Sequence, residues 1–170
     1  MSEITVVYPT SANPPTWGHA DIMYRAAVKF DKIYWVAACN PHKVLDFSVE
    51  QRLRMMQAYV DYYQLKNVIV DSYSGTIVRY ALDKNASFLL RGLRNTSDFQ
   101  AELELASGNR GISKDIETIC FFAKPHFATI SSRLIRELAR LGEKIDQYVL
   151  PTLTSEIRTT LNKETKGSSS

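Results

Sequence analysis

The sequence is poor in the features that mark several common protein classes. It has two cysteines, Cys39 and Cys120, far apart and in no C-x-x-C pair. A zinc site is therefore not expected, and both cysteines read as buried thiols in a reducing compartment. No window approaches the roughly 18 uninterrupted apolar residues of a membrane-spanning helix. Met1 to Pro9 lacks a basic segment followed by a long apolar run, so no secretory signal is expected there. An excess of one charge is also missing. The 21 Lys and Arg stand against 18 Asp and Glu, for a net charge of +3. That balance is too mild for a nucleic-acid surface, and no basic stripe with interleaved aromatics is present, but it suits a small anionic substrate. There is no P-loop, no metal-ligand spacing, no Ser-His-Asp arrangement and no cysteine nucleophile with a partner base.

What is present is an ordinary globular composition, 45% hydrophobic and 23% charged over 170 residues, enough for one domain. The domain is expected over 1–162, with 163–170 as a flexible polar tail. Two periodicities alternate along it. Strands are expected at Ile4 to Val7, Lys32 to Ala38, Val68 to Val70, Ser87 to Leu90 and Thr118 to Phe122. Helices are expected from His19 to Phe30, after a Ser48–Gln51 capping box, from Thr76 to Asp83, after a possible Ser97–Gln100 box to about Ser107, from Ser131 to Arg140, and near Leu153 to Leu161. Strands alternating with helices predict an α/β fold, a Rossmann-like doubly wound five-stranded parallel sheet with helices on both faces. The apolar strands predict that both faces are covered. Ligands then bind beyond the carboxyl ends of the strands.

The loops at that edge carry the candidate chemistry. After the first strand, Thr16-Trp17-Gly18-His19 opens a helix. Its free N–H groups suit a phosphate, Gly18 permits close approach, and His19 can donate to a phosphate oxygen. After the fourth strand, Arg91-Gly92-Leu93-Arg94 reads as a loop offering two guanidinium forks. After the fifth, Ile130-Ser131-Ser132-Arg133 begins another helix, where hydroxyls cap the helix or bind phosphate. Lys43, after the second strand, is either a solvated lysine or a further cation over the sheet edge. His42 and His126 are assigned no role, and Tyr59, Tyr62 and Tyr63 read as a packing face. This set stabilises negative charge with little acid–base machinery, as phosphoryl or nucleotidyl transfer requires.

The order T-x-G-H, R-G-L-R, I-S-S resembles the nucleotidyltransferase superfamily with an H/T-x-G-H motif. Within it, Arg91 to Glu102 with Asn109-Arg110, Ile130 to Glu137, and Phe47 to Arg52 resemble the phosphopantetheine adenylyltransferase family of bacterial coenzyme A synthesis. The resemblance implies a reaction of ATP with 4′-phosphopantetheine, giving dephospho-coenzyme A and pyrophosphate with Mg²⁺. It implies His19 at the α-phosphate in the transition state. It puts Ser11, Lys43 and Arg91 on the acceptor phosphate and Ile77 beside the pantetheine arm. It gives ATP the residues Ser11, Ala12, His19, Gly92, Leu93, Arg94, Glu102, Phe127, Ala128, Thr129, Ile130, Ser131, Ser132 and Arg133. It further implies a cytoplasmic hexamer, with coenzyme A or dephospho-coenzyme A as product or inhibitor, and neither nucleic acid nor membrane as partner.

Some positions depart from that pattern. The family's first loop reads P-G-T-F-D-P, where this chain has Pro9-Thr10-Ser11-Ala12-Asn13-Pro14, and Arg133 replaces a third serine. A positive φ at position 10 would disfavour Thr10, and Asn13 removes a negative charge. Two other readings therefore stand beside the first. One is a related transferase with another acceptor, such as nicotinate mononucleotide. The other is a non-catalytic paralogue that binds a nucleotide or coenzyme A.

Overall fold

The computed structural model describes residues 3–40 and 43–167, with side chains to residue 162. Five parallel strands, β1 (Thr5–Thr10), β2 (Lys32–Ala38), β3 (Val68–Tyr73), β4 (Phe88–Leu93) and β5 (Glu117–Phe122), form one sheet in the order β3-β2-β1-β4-β5. Among the described residues six α-helices accompany them: α1 (Trp17–Ala27), α2 (Val49–Tyr62), α3 (Ile77–Asp83), α4 (Thr96–Ile112), α5 (Ser132–Arg140) and α6 (Thr154–Gly167). The expected α/β architecture is therefore present. The strand order reverses between β1 and β4, which opens a crevice at their carboxyl ends.

The helix starts follow side-chain chemistry. Ser48 accepts from the Gln51 N–H at 3.2 Å, and Gln51 returns the bond to the Ser48 N–H at 3.0 Å, so the expected capping box forms. The box expected at Ser97 and Gln100 does not. Asn95 caps α4 instead, accepting from the Asp98 N–H at 2.9 Å, which places Ser97 inside the first turn. α4 then runs past the expected end at Ser107 to Ile112. α2 and α3 stop where Gln64 and Asn85 take left-handed backbone, φ 54 and 52. α6 continues to Gly167, into the stretch whose composition reads as a polar tail; residues 168–170, and His42, lie outside the described residues.

Alternate residues of β1 feed two cores. Val6 and Tyr8 join Trp35, Met23, Met56, Tyr59, Ile135 and Ile157 on the face covered by α1, α2, α5 and α6. Val7 joins Val36, Leu89, Val78 and Ala81 on the face covered by α3. That second face is incompletely covered. α4 has no buried residue, and β5 exposes Glu117, Cys120 and Phe122. The expectation of two buried thiols is thus wrong for Cys120, which lies exposed on the edge strand, while Cys39 is half-buried. Arg91-Gly92-Leu93 also proves to be strand rather than loop. Its pairing with Cys120, Phe121 and Phe122 of β5 extends β4 past the low β-propensity of Gly92.

Candidate active site

A cavity of about 390 Å³ opens at the β1/β4 crevice, within the range of small-ligand sites. It is lined from β1 by Tyr8 and Thr10, from the first loop by Ser11 and Thr16, and from α1 by Gly18, His19 and Ile22. Arg91, Gly92, Arg94, Asp98 and Glu102 line it from β4 and α4, and Phe127, Ile130, Ser131, Ser132, Arg133 and Arg136 from the α5 side. The T-x-G-H, R-G-L-R and I-S-S segments therefore meet in one place.

His19 is oriented by its own helix start. The Thr16 N–H donates to His19 Nδ1 at 3.1 Å, and the Thr16 hydroxyl lies 3.0 Å from the same nitrogen. A backbone N–H only donates, so Nδ1 is an acceptor and the neutral ring carries its proton on Nε2. Burial, then the nearby Arg94 and Arg91 charges, push the His19 pKa down to about 4. Near neutral pH, His19 is an uncharged donor through Nε2. A Cβ at Gly18 would meet only ordinary contacts, the nearest Thr16 Oγ1 at 3.5 Å, so protein packing does not require glycine there. At Gly92 it would stand 3.4 Å from Ile22 Cγ1, again an ordinary contact.

Both candidate arginines are already forked. Arg91 gives Nε and NH2 to Glu102, each at 2.7 Å, and NH1 to the Pro9 carbonyl at 3.0 Å. Arg94 gives Nε and NH2 to Asp98 at 2.8 and 3.0 Å, and NH1 to the Ile130 carbonyl at 3.4 Å. The Arg94 guanidinium holds the Asp98 carboxyl below the usual carboxylate range. These pairs set the guanidinium planes and anchor α4 to the sheet. Burial keeps the Tyr8 hydroxyl protonated.

The start of α5 supplies the opposite wall. Ser131 caps it, accepting from the Leu134 N–H at 3.1 Å, and the Ser132 hydroxyl donates to the Pro14 carbonyl at 2.7 Å. Both hydroxyls are thus engaged, and the anion-binding capacity lies in the first-turn N–H groups. Arg133 is mostly exposed and pairs with Glu137 at 2.9 Å.

Not every expected site residue lines the cavity. Ala12 and Leu93 are buried beside it. Ala128 and Thr129 lie in the turn between Phe127 and Ile130. Lys43 is exposed in the stretch before α2, and Ile77 begins α3 and packs on the second core. The positive φ falls at Ala12 (φ 47), not at Thr10, which closes β1 and accepts the Trp35 Nε1–H at 3.1 Å. Thr10 is accommodated for that reason. Tyr8 and Arg136 were not singled out from sequence. The signal for Arg136 was available, because Arg133, Arg136 and Arg140 fall at i, i+3 and i+7 on one helix face.

Residues 7–138 match the family model described as cytidylyltransferase-like. The chain is 38% identical over 151 residues to the phosphopantetheine adenylyltransferase of Synechocystis sp., covering 89% of this chain and 94% of the relative. It is 37% identical over 153 residues to the enzyme of that name from Nitrosomonas eutropha, covering 90% and 92%. The chain belongs to the phosphopantetheine adenylyltransferase family. The fold agrees with this family placement. The Plasmodium falciparum nicotinic acid mononucleotide adenylyltransferase complexed with NaAD superposes with a TM-score of 0.67 over 96% of each chain, at 15% identity, a likeness of fold alone.

Proposed function

We propose that this member of the phosphopantetheine adenylyltransferase family transfers the adenylyl group of ATP to 4′-phosphopantetheine, giving dephospho-coenzyme A and pyrophosphate. The observation that carries the reading is the convergence of a neutral, oriented His19, two forked arginines and the α5 N-terminus on one cavity. The acceptor's phosphate oxygen attacks the α-phosphorus, a new P–O bond forms, and the bond to the pyrophosphate oxygen breaks. The nucleophile is already anionic, so no general base is required. His19 Nε2–H donates to a non-bridging oxygen of the α-phosphate as charge builds there. Arg91 and Arg94 and the first-turn N–H groups of α5 oppose the remaining charge.

The cavity carboxylates, Asp98 and Glu102, are each forked to an arginine, and no cluster of three or more potential ligands exists among the described residues. We assign Mg²⁺ to the triphosphate, since Mg²⁺ sites commonly combine substrate phosphates with few protein ligands. When bound, such an ion would supply positive charge against the pyrophosphate leaving group. Ser11, Arg91, Lys43 and Ile77 are assigned to the acceptor on resemblance, and the first two line the cavity. We place the reaction in the cytoplasm, a setting that two unpaired cysteines suit; no helix among the described residues is long and apolar enough to cross a membrane. A homo-oligomer, a hexamer by resemblance, is supported by the exposed Phe99, Leu103 and Leu105 of α4 and Phe122 of β5.

The test is pyrophosphate release with ATP and Mg²⁺ and one of three acceptor conditions: 4′-phosphopantetheine, nicotinate mononucleotide or none. Release with phosphopantetheine alone is expected. Release only with nicotinate mononucleotide moves the substrate. Silence from folded protein that binds coenzyme A makes the chain a non-catalytic paralogue.

A further inference from the structure

One carboxylate stands where the first loop, the approach to α2 and the inner face of α5 meet. Asp46 precedes α2, and its side chain is 14% exposed. Its Oδ2 accepts from Asn13 Nδ2 at 2.9 Å and pairs with Arg136 Nε at 3.0 Å, while Oδ1 takes Arg140. Asn13, 3% exposed, completes the joint. Its Oδ1 accepts from the Phe47 N–H at 3.1 Å, and its carbonyl accepts from Arg136 NH1 at 2.6 Å. All these Asp46 partners are donors, and two of them are cations on the helix that walls the cavity.

We propose that Asp46 is a positioning residue for the transfer reaction. It acts through Arg136 and Asn13 to hold the N-terminal turn of α5 against the first loop, which sets the phosphate-binding end of the cavity. An amide at position 13 and a carboxylate at position 46 face each other, so this joint carries its negative charge at 46 alone. Without Asp46, the α5 start keeps the Ser132 bond to Pro14 and the Arg136 bond to the Asn13 carbonyl. It loses the charge that balances Arg136, a cavity-lining cation then tied to this joint only through the Asn13 carbonyl. The loss is felt strongly because the group is largely desolvated. The proposal rests on the adenylyl-transfer reading, and its test separates the two.

The experiment compares wild type, Asp46→Asn, Asn13→Asp and the double exchange. It measures ATP affinity without acceptor, KM and kcat with phosphopantetheine, and amide hydrogen exchange in α5. Asp46→Asn should weaken ATP binding and raise the ATP KM about tenfold, with faster exchange at residues 132–136. Asn13→Asp puts two carboxylates in hydrogen-bond contact and should weaken binding comparably. The double exchange restores one carboxylate and one amide, and should recover most of the affinity and the protection. A generally destabilised fold would not be repaired by exchanging charge between two positions. Folded Asp46→Asn with wild-type affinity and exchange overturns the proposal. So does a double variant as impaired as the two single losses combined. If wild type itself fails to bind ATP or to turn over, the adenylyl-transfer reading has failed. The exchange data then decide the positioning role alone: unchanged protection in Asp46→Asn rejects it.

Discussion

The low His19 pKa makes folding stability depend on acid in a way that one substitution can isolate. The ring titrates near its ordinary 6.5 in the unfolded chain and at about 4 in the native state. Between those values the unfolded state holds the extra proton, so stability falls as pH falls through this window. Above about 6.5 both states are neutral and the group contributes nothing. At about 1.36 kcal/mol per pH unit, the penalty reaches about 2.5 kcal/mol near pH 4.5. His19→Gln removes the titration and keeps the start of α1, because glutamine at this position completes a capping box with Thr16. Urea unfolding of both proteins at several pH values from about 7 to 4.5 measures the difference, and carboxylates common to both cancel. The variant should gain about 2 kcal/mol or more relative to wild type as the pH drops. Parallel stability curves would refute the account of a buried, neutral His19 between two arginines.

Three further outcomes follow from particular contacts. Thr10→Gly, which restores the residue of the family pattern, should lower rather than raise stability, by about 2 kcal/mol in urea unfolding, because the buried Trp35 indole loses its acceptor and the strand gains a flexible residue. Ser131→Ala removes the α5 cap and should cost about 1 kcal/mol in thermal unfolding, with a raised ATP KM in steady-state assays. Chelating Mg²⁺ should abolish pyrophosphate release while leaving the thermal midpoint of the ligand-free protein unchanged, since the ion is assigned to the triphosphate.

Local signals in the sequence carried most of the fold. β2 begins and ends at the expected residues, and the Ser48–Gln51 box starts α2 as its spacing implies. The differences have two causes. Long-range pairing with β5 carries β4 through Gly92, and a competing local cap, Asn95, starts α4 ahead of Ser97. The cavity was legible as three short motifs because each lies at or beyond the carboxyl end of a strand of one parallel sheet. Its supports were not. Tyr8 looks like any strand residue, and Asp46 gains meaning only when Asn13, 33 positions away, is folded beside it. Likewise Lys43 and Ile77 carry no local mark of lying away from the cavity wall.

His19 is the proposed donor to the α-phosphate during transfer to phosphopantetheine. The most direct measurement is mass-spectrometric detection of dephospho-coenzyme A formed from ATP, Mg²⁺ and 4′-phosphopantetheine, with wild type and His19→Ala side by side. The account predicts product from wild type and a rate about 10²–10³ lower from the variant, the usual cost of one such donor. No product from folded wild type, or equal rates from both proteins, would contradict it.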